Sequence, residues 1–307
     1  MLEIYKKPPL TYEQQLNKLR QQGVLISNSQ IALDALTSVS YYRLSGYWYP
    51  YRIRASSKKI TSQIIPGTTF EQILKLYNFD RQLRLLILDA IERIEVAIRN
   101  RITYHMAHTY GEFAHTCAEN FHPNFNHRKW ITKIEDEAQR SSDEFIRHYK
   151  NKYLNFPKLP IWMVTETMSL GALSFFYMGM KNNKELGIQD KKKIADCFNI
   201  HYKRLGNWLH TITYIRNICA HHSRLWNREL SIRPDICKDR NWQPPITPRN
   251  DRIFYVLLLI LQLFRSIENQ NDWKEKITTL IDSTIDKPEH RIAMGLPEDW
   301  MHHPLWK

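Results

Sequence analysis

An arginine, an asparagine and a histidine stand together in Arg216-Asn217-Ile218-Cys219-Ala220-His221, and His222, Arg224 and Arg228 follow at once. Arginine grips a phosphate with a planar, permanently charged fork, and histidine moves protons near neutral pH. One short segment thus offers what cleavage of an RNA phosphodiester requires, namely charge neutralisation at the phosphate and an acid or base for the oxygens. No Asp or Glu lies three or four residues from Arg216, so a helical ion pair does not account for it. Earlier in the chain, Arg99-Asn100-Arg101 followed by His105 repeats the pattern more loosely, and there Glu95 sits at i−4 to Arg99. At about 100° per residue on an ideal helix, Asn217 and His221 share a face. Arg216 lies about 140° from His221, so its guanidinium must reach around, or the helix must begin or distort at that point. Arg101 and His105 also share a face, with Arg99 about 120° away.

Other chemistries find little support. No HExxH, P-loop, GxGxxG or GxSxG motif occurs, and no carboxylate cluster stands near either Arg-His pair. Neither a metal nor a cofactor is therefore expected. Cys117, Cys197, Cys219 and Cys237 are far apart and form no CxxC pair, which reads as reduced thiols of a cytoplasmic protein. Cys219 reads as a small buried residue rather than a nucleophile. The start lacks the apolar core of a signal peptide, and the most apolar run, residues 253–264, is too short to span a bilayer.

The 44 basic and 31 acidic residues give a net charge of +13, which points to a polyanionic partner, nucleic acid before membrane. Residues 1–66 carry nine Lys and Arg against three acids, nearly half of that excess. Five tyrosines, a tryptophan and three arginines crowd residues 40–54. Tyr41, Tyr42, Tyr47 and Trp48 with Arg43, Arg52 and Arg54 would make a stacking and phosphate-binding surface for unpaired RNA. The alternative is that the rings are packed inside and the arginines face out.

Only nine glycines and abundant Leu, Ile, Lys, Arg, Glu and Gln predict an all-α fold. Residues 11–22 read as a short helix opened by a Thr11/Gln14 capping box and stopped by Gly23. A second short helix follows over residues 29–36, and the pair could be a tethered arm or a small DNA-binding-like unit. Residues 55–67 read as a polar loop. A long helix runs from residue 69 to about 110 with Leu74, Tyr77, Leu85, Leu88, Ile91, Ile94 and Ile98 as its apolar stripe. Further helices are expected over about 127–151, 163–178, 202–217 and 252–267, with charged or proline-rich connections at 181–193 and around Pro234, Pro244, Pro245 and Pro248. The division is into a basic, aromatic-rich segment, 1–67, and a helical body, 68–307.

Three blocks, residues 40–48, 94–102 and 216–227, resemble the bacterial Abi (abortive-infection) proteins of the AbiD/AbiF kind, phage-defence proteins of the HEPN superfamily. The resemblance implies an all-α helical bundle of HEPN type and a metal-independent endoribonuclease built on R-x(4–6)-H motifs, commonly two facing each other. Both pairs here fit the spacing, so the composite site would lie within one chain or across a homodimer. The implied roles make His221 the general base or acid at a ribose 2′-hydroxyl or leaving 5′-oxygen, Arg216 the stabiliser of phosphate charge, and Asn217 an orienting residue. Arg99 and His105 would be the second catalytic pair. Arg101, His222, Arg224 and Arg228 would add RNA contacts. Products would be 2′,3′-cyclic phosphate and 5′-hydroxyl ends. A rival reading of the same residues is a non-catalytic RNA-binding defence or toxin–antitoxin component controlled by a bound regulatory RNA, and a third is a DNA-binding regulator using the amino-terminal helices.

Overall fold

The computed structural model describes residues 4, 7–54, 60–183, 187–242, 247–267 and 272–307. Lys58, Lys59, Pro244 and Pro245 lie outside that set. The described chain is all-α, with helices α1 (Tyr12–Gln21), α2 (Ser29–Ser38), α3 (Tyr41–Trp48), α4 (Phe70–Tyr110), α5 (His127–Arg140), α6 (Glu144–Lys152), α7 (Ile161–Thr167), α8 (Leu170–Gly179), α9 (Asp190–Asp196), α10 (Tyr202–Ala220), α11 (Ile253–Phe264), α12 (Trp273–Thr284) and α13 (Pro288–Met294). Two antiparallel hairpins interrupt them, β1 (Arg52–Arg54) with β2 (Ile60–Ile64) and β3 (Asn182–Asn183) with β4 (Ile188–Gln189). No helix among the described residues is long and apolar enough to cross a membrane.

The chain divides into two compact units. The first comprises Met1–Arg84 with Thr279–Asp286, and the second Leu85–Thr278 with Lys287–Lys307. In the first unit α1 opens on the capping box, with Thr11 accepting from the Gln14 amide and the Gln14 side chain accepting from the Thr11 amide. Gly23, at φ +94°, lets the chain turn back after α1 in a conformation a side chain would oppose. Leu44, Tyr47 and Trp48 of α3 are buried together with Phe70, Ile73, Leu76 and Phe79 of α4. A buried polar group fixes this packing, because the Tyr47 hydroxyl donates to Asp80 Oδ2 at 2.6 Å and Arg84 pairs with the same carboxylate.

In the second unit α11 is apolar on nearly every side and almost wholly buried, as a central helix must be. The amphipathic α10 buries Leu205, Trp208, Leu209, Ile212, Ile215 and Ile218 on its inner face, each such side chain stabilising the unit by roughly 1.5–3 kcal/mol. Gly206 of α10 faces Met178 of α8 so closely that a Cβ would come within 2.4 Å of the sulfur, and one at Gly171 would meet Thr213 at 3.3 Å. These two glycines let α8 and α10 lie in close contact.

Several expected elements divide. The span 127–151 is two helices, broken where Ser141 and Asp143 exchange hydrogen bonds. The span 163–178 breaks at Ser169, whose hydroxyl caps α8 by accepting from Ala172 N. Part of the loop at 55–67 is strand β2, built from the β-branched Ile60, Thr61 and Ile64. Along α4 the buried line is Ile73, Leu76, Leu83, Ile87, Ile91, Ile94, Ile98 and Ile102, whereas Leu85 is 52% exposed. The stripe expected through Leu85 and Leu88 sits on a neighbouring face because the helix offers leucines on both.

His115 carries a pH signature. Its imidazole is buried, and burial, helped by the neighbouring His127, holds its pKa down at about 4. Unfolding returns it to about 6.5, so its contribution to stability is intact above pH 6.5 and is lost as pH falls toward 4, by about 3 kcal/mol. Denaturant midpoints should fall across that window, and His115→Gln should flatten the slope. A slope unchanged by the substitution would assign the titration to another group.

Candidate functional site

α10 carries the second Arg-His segment at its carboxyl end. Its solvent-facing residues recur at 203, 207, 210, 214, 217 and 221, alternating steps of four and three, so Lys203, Asn207, His210, Tyr214, Asn217 and His221 line one face. Opposite them lies the buried apolar face that seats the helix. His221 is the C-cap residue, with φ −84° and ψ 10°, and its imidazole is exposed and makes no hydrogen bond among the described residues. Arg216 Nη1 donates to Asn217 Oδ1 at 3.4 Å, which bends the guanidinium toward the face that Asn217 shares with His221. The segment thus ends a helix rather than beginning one.

The stop itself is well defined. The His222 amide donates to Cys219 O at 3.0 Å and the Ser223 amide to Ile218 O at 2.9 Å, the paired bonds of a Schellman motif. His222 takes the left-handed position, φ +54°, where glycine is usual. Leu225 and Trp226, both fully buried, then tie the chain down. The stop therefore places His221 and His222 at the surface, with Arg224 and Arg228 close behind. Cations suit the negative end of the α10 dipole. Arg228 Nε donates to Arg224 O at 2.7 Å. Burial alone would raise the pKa of Tyr214, but hydrogen bonding from Ser231 and the Arg228 guanidinium together hold it below its ordinary value. Cys219 is buried, as its reading as a small packing residue requires.

The first segment, on α4, is placed differently. Arg99 Nη2 donates to Glu95 Oε1 at 2.9 Å and to Met168 O at 3.0 Å, and Nη1 lies 3.8 Å from Glu166 Oε2. The i−4 ion pair that the spacing allowed is made. His105 Nε2 lies 2.7 Å from Asp190 Oδ1, and the Tyr110 hydroxyl donates to Asp190 Oδ2 at 2.9 Å. Burial and that carboxylate push the Tyr110 pKa up to about 12. Arg99 and His105 thus address different partners, the end of α7 and the start of α9, and do not converge. Arg101 is exposed. The turn after α7 links the two segments, since Met168 receives Arg99 and Gly171 packs on Thr213, one turn before Arg216.

In the first unit the aromatic segment turns its largest rings inward. Tyr47 is 1% exposed and Trp48 is fully buried, so neither offers a face on which a base could stack. Tyr41 is half-buried, packed edge-on against Trp48. Tyr42, at 89% exposure, together with Arg43 and Arg54, faces solvent, while Arg52 is partly covered and lies 5.4 Å over the Tyr49 ring. Tyr214, Glu166 and Asp190 were not singled out from the sequence. Tyr214 was within reach, being three residues before Asn217 and seven before His221 on the same face. Among the described residues no three His, Cys, Asp or Glu side chains gather to hold a metal ion.

A family described as Abi-like protein matches residues 34–227, a span that holds all three blocks and both Arg-His segments. No curated protein and no solved structure matches the chain.

The left-handed His222 yields a direct test. The left-handed backbone costs a residue with a Cβ about 1–2 kcal/mol, glycine's larger unfolded-state entropy takes back part of that gain, and His222→Gly should therefore raise stability by less than about 1–2 kcal/mol. Chemical denaturation reads this, and a loss of stability would mean that the contacts of the imidazole outweigh the backbone strain.

Proposed function

The chain belongs to the Abi-like family, proteins of abortive-infection phage defence, and from that premise we propose that it is a metal-independent endoribonuclease of HEPN type acting through the end of α10. The observation that carries the reading is the Arg216-Asn217-His221 group, with Asn217 and His221 exposed and a half-buried Arg216 whose guanidinium leans toward the histidine face and has no acidic partner among the described residues. His221 takes the proton from a ribose 2′-hydroxyl as it attacks the adjacent phosphorus, or gives one to the departing 5′-oxygen. Arg216 neutralises charge building on the phosphoryl oxygens. Asn217 holds the guanidinium toward that face. His222, Arg224 and Arg228 draw the flanking phosphates, and exposed Tyr42, Arg43 and Arg54 offer further contacts to unpaired RNA.

The arrangement favours a composite site formed by two copies of α10 over one formed within a chain. Arg99 and His105 are held by Glu95, Glu166 and Asp190, and they point to different elements. Their role in this reading is to position the helices, with Arg99 gripping the turn between α7 and α8.

The same internal engagement of Arg99 and His105 supports the second reading, a non-catalytic RNA-binding protein controlled by a regulatory RNA, in which Arg216 and His221 grip phosphate without turnover.

Wild type and the Arg216→Ala and His221→Ala variants, incubated with RNA in EDTA, separate these readings. The enzyme reading expects cleavage by wild type alone, with 2′,3′-cyclic phosphate and 5′-hydroxyl ends, and a loss of at least about 100-fold in rate in either variant. Cleavage that survives both substitutions, or that requires a divalent ion, would sink it. Tight binding without cleavage in all three proteins would favour the second reading.

A further inference from the structure

The solvent face of α10 continues from the Arg-His group into a groove. About 480 Å³ in volume, it lies between α8 and α10, with Phe175 and Met178 on one wall, Lys203, Asn207 and His210 on the other, and Asp235 at its edge. Gly171 and Gly206 line it too, at the places where the two helices approach most closely.

Three features make this more than a gap between helices. Phe175 and Met178 are 54% and 53% exposed, although both stand beside a packed interface. The Phe175 ring rests on Phe125 at 5.0 Å, so it is a supported surface. Lys203 and His210 are exposed and have no hydrogen-bond or ion-pair partner among the described residues. Asn207 Oδ1 accepts from the Asp235 amide at 2.9 Å, which fixes the side chain and leaves its NH2 group to donate. An aromatic and thioether surface, an oriented amide, a carboxylate edge and two cationic or ionisable groups match an unpaired nucleotide: a π-face to stack, base edges to hydrogen-bond and phosphates on either side.

Position decides which strand supplies it. His210 and His221 share a face eleven residues apart, about 16 Å along the helix, the length of roughly five stacked nucleotides at about 3.4 Å each. We propose that this groove is a distal subsite of the α10 ribonuclease site, binding one unpaired base of the substrate strand about five nucleotides from the scissile phosphate. The base stacks on Phe175 and Met178, its edge meets Asn207 and Asp235, and the adjoining phosphates lie against Lys203 and His210. Asp235 keeps phosphate off the groove floor and accepts from a base amino group. The inference rests on the RNA reading of α10 and adds to it a substrate class: single-stranded segments long enough to reach from His221 to His210.

The test compares a trinucleotide with a twelve-nucleotide single-stranded RNA, using wild type, Phe175→Ala and Lys203→Ala/His210→Ala. With the longer RNA, both variants should raise KM and Kd about tenfold, the loss expected for one stacked base, while kcat stays within about twofold. With the trinucleotide they should match wild type. Equal losses on both lengths, or none on either, would overturn the subsite while leaving cleavage by α10 standing. Should wild type bind RNA without cleaving it, Kd alone carries the same comparison. Wild type that neither binds nor cleaves either RNA overturns the underlying reading, and the subsite with it. Thermal melts establish that the variants fold, and a 4-thiouridine placed five nucleotides from the cleaved bond gives a second measurement on unmodified protein. Its photocrosslink should fall on the α8–α10 groove, and a crosslink elsewhere counts against the proposal.

Discussion

The chemistry available to the second unit depends on where α10 stops. A helix held by its buried face would carry Arg216 and His221 wherever its axis led, but the place of His221 as an exposed cap requires the chain to leave the helix one residue after Ala220. Two backbone hydrogen bonds and a left-handed His222 make that exit, and the buried Leu225 and Trp226 hold it. A nonglycine residue in that conformation is sparsely populated and persists where surrounding packing over-determines it. Here the packing lies on both sides: the apolar face of α10 before the stop, and the two anchors after it. The cations that follow stand at the negative end of the helix dipole, so the features that suit a phosphate are, without one, compatible with the local field.

The two Arg-His segments show how similar spacing acquires different surroundings. On α4 the arginine finds Glu95 on its own helix and Glu166 and the Met168 carbonyl across it, and the histidine finds Asp190. On α10 the arginine reaches Asn217, and among the described residues the His221 imidazole makes no hydrogen bond. The difference comes from Glu95 four residues before Arg99 and from carboxylates far along the chain, Glu166, 67 residues beyond Arg99, and Asp190, 85 beyond His105. The Arg99–Glu95 pair, both side chains largely covered, is screened less by salt than a surface pair would be, though their burial costs desolvation. The α4 segment reads as a fixed brace, the α10 segment as an available surface.

That contrast also marks the limit of what the sequence could disclose. The Thr11/Gln14 capping box, Gly23 and the extent of α4 were legible because each depends on neighbours a few residues away. The breaks at residues 141–143 and at Ser169 depend on short polar side chains that also sit comfortably inside helices, so periodicity ran through them. In residues 40–54, composition could not tell a stacking surface from a core, and burial divided it: Tyr47 and Trp48 inside, Tyr42 outside. For the candidate site, the residue types and their order were readable. The side chain that Arg216 meets and the left-handed stop at His222 were not, since the stop depends on how the following Leu225 and Trp226 are anchored.

One topological feature bears on how such a protein is made. The first unit is discontinuous: it contains Met1–Arg84 and then Thr279–Asp286, with the whole of Leu85–Thr278 between. On the ribosome its last piece emerges some 195 residues after Arg84, once α10 and α11 have already been synthesised. Bringing together segments that far apart in the chain is slow compared with local helix formation. The amino-terminal unit, though begun before the second, gains its last segment only after the chain bearing Arg216 and His221 exists, just ahead of the second unit's own Lys287–Lys307. A chain lacking Thr279–Asp286 would lack part of the first unit even with Met1–Arg84 intact, so that unit depends on residues made after the whole of α10.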